Sequence, residues 1–321
     1  MDRMKVGVVG VGYLGQFHAE KYARMEEVEL VGVVDIDLVR AREIAQRHHT
    51  RPFFRHADLY DKVQAVSIAV PTPSHHAIAR DFFLHGIHIL LEKPIAKTLE
   101  ETDELIGLAE SKERVLQVGH LERFNGAFVA TEGMVQDPIF IESHRLGPFS
   151  GRETDVDVVI DLMIHDIDIL LCLMKAEIKR IDAIGLPVLT PYADFANARI
   201  KFENGCVASL TASRISKEKT RRTRIFQPNG TLTIDYLMQK ASLTKKAASS
   251  GKEEPLEMVT EEIPVIQADA LESEILSFVQ SVRDRKKVRV SGRDGKRSLE
   301  VAFQILEKIE EDMKRKKGWH N

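Results

Sequence analysis

Lys5-Val6-Gly7-Val8-Val9-Gly10-Val11-Gly12-Tyr13-Leu14-Gly15 is the stretch whose reading decides the fold. Lys5–Val9 is short and mostly apolar, the pattern of a buried strand. Gly10, Gly12 and Gly15 fit G-x-G-x-x-G, and Phe17 to Met25 continues with helical spacing. At a strand-to-helix turn each glycine has a physical task. The first lets the chain leave the strand sharply, the second lets a pyrophosphate approach bare backbone, and the third lets helix and strand pack closely. The helix N-terminus adds N–H groups and the positive end of its dipole. A second apolar run, Leu30–Val34, ends at Asp35, twenty residues beyond Gly15, where a carboxylate accepts hydrogen bonds from the adenosine ribose. The implied dinucleotide site comprises Gly10, Gly12, Tyr13, Leu14, Gly15 and Asp35. Asp35-Ile36-Asp37 repels a 2′-phosphate, so the expected cofactor is NAD rather than NADP; Arg40 and Arg42 are placed on the following helix.

Working outward, Asp37–His48 reads as that helix and Val66–Val70 as a strand stopped by Pro71 and Pro73. Ser74 is expected to cap a helix that runs to about His85. His88–Glu92 is the next strand and runs into Lys93-Pro94. Thr98 and Glu101 form a capping-box pattern for a helix to about Ser111, and Val115–Val118 is one more strand. Strands alternating with helices imply a Rossmann-type doubly wound parallel sheet in an α/β domain over residues 1–122. Ligands in such sheets sit beyond the strand C-termini. That rule adds Pro71, Thr72, His76, Glu92 and Lys93 to the cofactor-binding candidates, with His75 expected to be exposed.

The texture then changes. Val158–Met174 is apolar at helical spacing. Strand-like runs follow one another at 139–145, 178–184, 197–202, 207–213, 223–226, 231–235, 241–244 and 257–260. Glu203-Asn204-Gly205 and Pro228-Asn229-Gly230 are hairpin turns by composition. Residues 245–254 read as a polar loop, and 268–283 and 294–316 as closing helices. Residues 123–321 are therefore expected to form an α+β domain with a large, mainly antiparallel sheet for substrate binding and oligomerisation, its last helices free to pack back on the first domain.

At 321 residues, 43% hydrophobic and 30% charged, the chain has the composition of a globular protein with room for two cores. A net charge of −3 gives no reason to expect nucleic acid or an anionic membrane as partner. Cys172 and Cys206 are the only cysteines, which is not a disulfide framework and fits a reducing cytoplasm. No apolar run reaches the ~20 residues of a membrane span. The first strand begins within a few residues of Met1, so no signal peptide is expected. The basic Lys314–Lys317 run is expected to end a solvated helix.

Four motifs in order, Gly10–Gly15, Thr72-Pro73-Ser74-His75-His76, Glu92-Lys93-Pro94 and Asp161-Leu162-Met163-Ile164-His165, resemble the glucose–fructose oxidoreductase, inositol dehydrogenase and rhizopine catabolism (Gfo/Idh/MocA) family over nearly the whole chain. The resemblance implies that Lys93, Asp161 and His165 meet the substrate beside the nicotinamide. Their chemistry suits that. Histidine titrates near neutrality and can take a hydroxyl proton, a lysine can steady a developing alkoxide, and an aspartate four residues before a histidine shares its helix face. Asp161, Asp168 and His165 could also suggest metal ligands, but no close His/Cys cluster accompanies them and no metal is expected.

Val118-Gly119-His120-Leu121-Glu122-Arg123-Phe124-Asn125 is similar to members acting on nucleotide sugars, especially UDP-N-acetylglucosamine 3-dehydrogenases, with Gly126 where a proline is usual. On that resemblance Arg123, Asn125, Arg145 and Arg214 are substrate-binding candidates, among further bases at Lys217, Lys219, Arg221, Arg222 and Arg224. The alternatives are a solvated basic hairpin, and Arg123 and Asn125 bracing the nicotinamide loop. Three functions stand side by side: a nucleotide-sugar 3-dehydrogenase, a dehydrogenase of a free polyol or sugar, and a catalytically silent NAD-binding regulator. The family resemblance also implies a homodimer or homotetramer associated through the open sheet face.

Overall fold

The computed structural model describes residues 3–151, 156–247 and 257–317. In chain order it begins with β1 (Met4–Val9), α1 (Gly15–Arg24), β2 (Val28–Val34), α2 (Leu38–Arg47), β3 (Arg51–Phe53), β4 (Ala65–Ile68), α3 (His75–Leu84), β5 (His88–Glu92), α4 (Leu99–Ser111) and β6 (Leu116–Gly119). The strands form one sheet in the order β3-β2-β1-β4-β5-β6, and every pairing is parallel. The strand order reverses between β1 and β4, the place where ligands bind in doubly wound folds. Buried Val6, Val8, Ala65 and Leu90 explain why these strands read as continuous apolar runs.

The chain continues with α5 (Gly126–Thr131), β7 (Phe140–Leu146), a π-turn at Val159–Met163, α6 (Ile164–Leu173), β8 (Ile178–Leu186), β9 (Phe195–Phe202), β10 (Val207–Ser213), β11 (Thr220–Gln227), β12 (Gly230–Asp235), β13 (Lys240–Lys246), β14 (Met258–Ile263), α7 (Ala270–Asp284) and α8 (Gly292–Lys317). The second sheet runs β14-β13-β12-β11-β7-β10-β9-β8. Every pair is antiparallel except β7 with β10. Those two are separated by α6, β8 and β9, a connection long enough for a parallel crossover. Burial alternates strictly along β7, so one face carries the core and the other does not. The core face packs Ile200, Phe202, Leu210, Ile225 and Leu232 against Met163, Ile167, Leu170 and Ile305 of the helices.

Two compact units result: Met1–Leu121 with Asp269–Arg297, and Glu122–Ala268 with Ser298–Asn321. Within the first, α7 contributes Leu271, Ile275, Phe278 and Val279 to the same core as Val6, Val8 and Tyr22.

Some expectations are corrected. β3 was not anticipated; it is three residues long and contains Pro52, which an edge position tolerates. Ser74 makes no capping hydrogen bond, because a 3₁₀ turn at Thr72–Ser74 runs directly into α3 and leaves Ser74 already helical. The single helix expected over Val158–Met174 is a π-turn followed by α6. Of the polar stretch at 245–254, Lys245 and Lys246 belong to β13 and residues 248–254 lie outside the described residues. Thr98 caps α4 as its sequence suggests, accepting from the Glu101 N–H at 3.2 Å. The returning arm of the box differs, since Glu101 accepts from the Lys97 N–H at 3.0 Å. Thr98→Ala removes one arm only, and urea unfolding is expected to show a loss of about 1 kcal/mol; an unchanged midpoint would assign the cap to Glu101 alone.

Candidate active site

The glycine loop follows β1. Gly10 has φ +81°, which a side chain resists, and a Cβ on Gly15 would lie 1.8 Å from the Gly10 carbonyl oxygen. Helix and loop can close only without that atom. A Cβ on Gly12 would meet nothing nearer than Arg40 Nη1 at 3.9 Å, so its backbone faces open space. Leu14, at the N-cap of α1, offers no capping side chain, and no acidic residue sits in the first turn. An uncapped, uncharged helix start beside bare backbone is the cradle that a pyrophosphate needs. Tyr13 is exposed and stands edge-on to Phe17, with ring centroids 6.1 Å apart, whereas Leu14 packs partly into the core.

Asp35 stands just past β2 and is 7% exposed. Its Oδ2 accepts from the Val11 N–H at 3.0 Å and its Oδ1 from the Asp37 N–H at 2.9 Å. The carboxylate therefore fixes the glycine loop to the chain leaving β2 and keeps lone pairs for a diol. Arg40 lies on α2, 3.8 Å from Asp35 and 3.4 Å from Asp37.

Lys93, half-buried, follows β5 and is joined to Pro94 by a cis peptide bond. Two buried histidines grip the residues on either side of it. His18 Nε2 lies 2.9 Å from Glu92 Oε1. His75 Nδ1 lies 2.8 Å from the Pro94 carbonyl and its Nε2 2.9 Å from the Val70 carbonyl. This corrects the expectation that His75 is exposed: it is 1% exposed, because the 3₁₀ turn after Pro71 carries it inward to the carbonyls at two strand ends. Burial lowers its pKa against the opposing effect of those carbonyls. A neutral ring can then donate to one of them only. Glu92, expected at the cofactor, lies buried with its carboxylate on His18 and over Gly119, where a Cβ would be 2.7 Å away. His76 is half-buried, 2.8 Å from Glu104 Oε2 on α4. Pro71 is exposed and Thr72 opens the 3₁₀ turn. His18 was not singled out from sequence. Its signal was the spacing of Gly15, His18, Ala19 and Tyr22, all buried on one face of α1, since a buried histidine needs a partner.

In the second unit, Asp161 sits in the π-turn and His165 in the first turn of α6; both are half-buried, His165 between the buried Ile164 and Asp166. Such turns recur at functional sites. Two buried ion pairs hold the helix that carries them. Arg145 of β7 reaches Asp166 with Nε at 2.7 Å and Nη2 at 3.2 Å, and Glu122 with Nη1 at 2.9 Å. Ser143 adds a hydroxyl to Asp166 at 2.9 Å. Arg123 reaches Asp168 with Nε at 2.6 Å and Nη2 at 2.9 Å. Burial opposes the charge of Arg145, but Asp166 and Glu122 outweigh it and hold its pKa above the ordinary arginine range.

Arg123, Asn125, Arg145 and Arg214, expected at the substrate, all make contacts within the protein. All four are buried with protein partners. Asn125 caps α5, accepting from the Ala127 N–H at 3.1 Å and donating to the Tyr236 carbonyl at 3.0 Å. Arg214 donates to the Val156 carbonyl and lies 3.5 Å from Asp194. A guanidinium carried into the interior must be neutralised there, so a strand position read as available to a ligand is taken by a carboxylate. Gly126 opens α5, and the Ile266 carbonyl lies 2.3 Å from where its Cβ would be.

Comparison with known proteins follows this geometry. A profile described as "Oxidoreductase family, NAD-binding Rossmann fold" matches residues 4–120, and one described as "GFO/IDH/MocA C-terminal domain" matches residues 133–233. The chain is 37% identical to the UDP-N-acetylglucosamine 3-dehydrogenase of Acidithiobacillus ferrooxidans, covering 98% of this chain and all of that one. A crystal form of that enzyme superposes with a TM-score of 0.91, covering 97% of this chain and 98% of that one. An inositol 2-dehydrogenase of Rubrobacter xylanophilus is 32% identical over 58% of this chain and 56% of its own length.

Replacing Asp168 by Ala removes the bidentate partner of the buried Arg123. Chemical denaturation is expected to show a loss of about 3–5 kcal/mol, most of it recovered when Arg123→Met is added. A single variant as stable as wild type would return Arg123 to the list of ligand-binding groups.

Proposed function

Because the chain belongs to the Gfo/Idh/MocA family of NAD-binding oxidoreductases, we propose that it uses NAD to oxidise the 3-hydroxyl of a UDP-sugar such as UDP-N-acetylglucosamine. The observation that carries this reading is the 37% identity with a UDP-N-acetylglucosamine 3-dehydrogenase over 98% of the chain. Bound NAD supplies the acceptor for hydride. The Gly10–Gly15 loop and the start of α1 receive the pyrophosphate, Asp35 receives the adenosine ribose, and Tyr13, Pro71 and Thr72 border the cofactor. His165 takes the proton of the sugar hydroxyl, and Asp161 orients the imidazole or holds a neighbouring hydroxyl. The Lys93 ammonium stabilises the developing alkoxide and so lowers the hydroxyl pKa. Residues 1–122 serve the cofactor, and residues 123–321 serve the substrate and the contact between copies, apart from α7, which packs into the core of the first unit.

The open face of the second sheet supports a homodimer or homotetramer. Phe140 and Phe226 lie side by side there at 5.8 Å between ring centroids, with His144, Arg222 and Arg224 half-buried to exposed around them. No helix of the described residues is long and apolar enough to cross a membrane. With two cysteines in the whole chain, the compartment we propose is the cytoplasm. The similarity to an inositol 2-dehydrogenase over 58% of the chain favours, as a second reading, oxidation of a free polyol.

Calorimetry of the NAD-loaded protein with UDP and then UDP-N-acetylglucosamine separates the two. Binding of both, with NADH absorbance rising only for the sugar nucleotide, is expected; silence towards both would move the assignment to free polyols. His165→Ala is expected to lower turnover by about 10²–10⁴ with NAD affinity nearly intact. Near-normal turnover would remove His165 from the base role.

A further inference from the structure

β11 lies antiparallel to β7, and Arg221 stands directly opposite Arg145. Like charges in that position repel and weaken a sheet. Arg145 is fully matched by Asp166 and Glu122. Arg221 is not matched to the same degree. Its Nη1 lies 3.6 Å from Glu122 Oε1, beyond hydrogen-bond length, and that oxygen already takes Arg145 at 2.9 Å. The other oxygen of Glu122 accepts from Asn125 at 3.2 Å. One carboxylate is thus shared by two guanidinium groups and an amide.

The direction of Arg221 is equally telling. It shares the core-facing side of β11 with buried Thr223 and Ile225, yet 38% of its side chain is exposed. An inward-facing, partly exposed arginine differs from Arg222 and Arg224, which point to the other sheet face, Arg222 with a hydrogen-bonded carboxylate of its own, Asp235. Around Arg221 the register brings the α6 anchor: Ser143 and Arg145 of the facing strand both bind Asp166, the residue after His165. Asp161 is within electrostatic reach. Burial and the neighbouring Arg145 lower the Arg221 pKa, opposed by Glu122, Asp166 and Asp161. The group nonetheless stays a cation, as arginine does in proteins.

We infer that Arg221 is the receptor for the anionic part of the substrate, binding the diphosphate of a nucleotide sugar whose ring is presented to Asp161 and His165. This rests on the proposed role of Asp161 and His165, and it adds the residue that distinguishes a sugar nucleotide from an uncharged polyol. A guanidinium fork binds two oxygens of one oxyanion at once, and a repulsive pair of arginines is relieved when that oxyanion arrives. The same fork would accept the carboxylate of a sugar acid, so the test carries both anions.

The experiment compares wild type with Arg221→Gln and Arg221→Lys, all loaded with NAD. UDP and glucuronate affinities are measured by calorimetry, KM and kcat with UDP-N-acetylglucosamine, and Tm by thermal unfolding. Arg221→Gln is expected to weaken UDP binding and raise KM by about tenfold or more, with kcat and NAD affinity little changed. Its Tm is expected to equal or exceed that of wild type, since a like-charge pair has been removed. Arg221→Lys is expected to recover part of the loss. A wild type that binds UDP and an Arg221→Gln variant that binds it equally well would overturn the inference and leave the nucleotide-sugar reading standing. A fall in Tm together with lost NAD affinity would make Arg221 a structural residue and overturn it as well. If wild type ignores UDP but loses glucuronate affinity in Arg221→Gln, the diphosphate assignment falls and a carboxylate takes its place. A wild type that binds neither anion ends the proposal.

Discussion

A positive charge inside the second unit has to be neutralised, and the way it is neutralised fixes the rest of that unit. Arg145 is 2% exposed and is held by Asp166 and Glu122. An unpaired charge at that depth would cost several kcal/mol. Three segments far apart in sequence are therefore bound to one guanidinium: strand β7, the helix α6 and the turn that opens the unit at Glu122. Register follows as well. A slip of one residue along β7 would carry Arg145 to the opposite sheet face and leave both carboxylates buried without it. Arg123 and Asp168 repeat the arrangement two residues further along α6. His165 thus sits on a helix whose next residues are anchored by two bidentate pairs, the kind of rigid support that a catalytic side chain requires.

The first unit solves a related problem at its strand ends. Strand ends in a parallel sheet leave carbonyls and side chains gathered at one edge, where a ligand must also fit. Asp35 ties the glycine loop to the end of β2, and His18 and His75 tie the residues before and after Lys93 to α1 and to the end of β4. Each of these side chains satisfies backbone or carboxylate groups that burial would otherwise leave without partners. The edge is thereby made rigid from within its own unit. Arg221 stands apart from both schemes, because its charge is neither fully matched nor fully hidden. The repulsion it brings to the sheet has no structural return in its own unit, and a group held at such a cost is where recognition is to be sought.

Local chemistry made much of this legible. Gly10, Gly12 and Gly15 between a strand and a helix, with Asp35 at the next strand end, can serve few purposes other than a dinucleotide site, since each glycine answers a steric demand of the turn itself. Successive strand-like runs without intervening helices and the turns at Glu203–Gly205 and Pro228–Gly230 likewise announced the antiparallel sheet before any long-range contact was known. Short-range signals failed where the three-dimensional environment overrode them. Ser74 looked like a cap and is part of a 3₁₀ turn; Pro52 hid an edge strand; His75 looked exposed and is a buried bridge.

By itself, the sequence determined the Rossmann unit, its glycine loop and most of its alternating strands and helices, the family and the residue types available for hydride chemistry, because these depend on periodicity, turn sterics and side-chain acidity within short windows. Which arginines are buried on protein partners and which stay partly exposed was decided only by the tertiary structure. Arg123, Arg145, Arg214 and Arg221 are alike in sequence, and three of them are buried on protein partners while one is partly exposed with a shared carboxylate. Nothing local separates them. The fate of a charge depends on whether the fold brings it a partner from 21 or 45 residues away, as it does for Arg145 with Asp166 and Arg123 with Asp168.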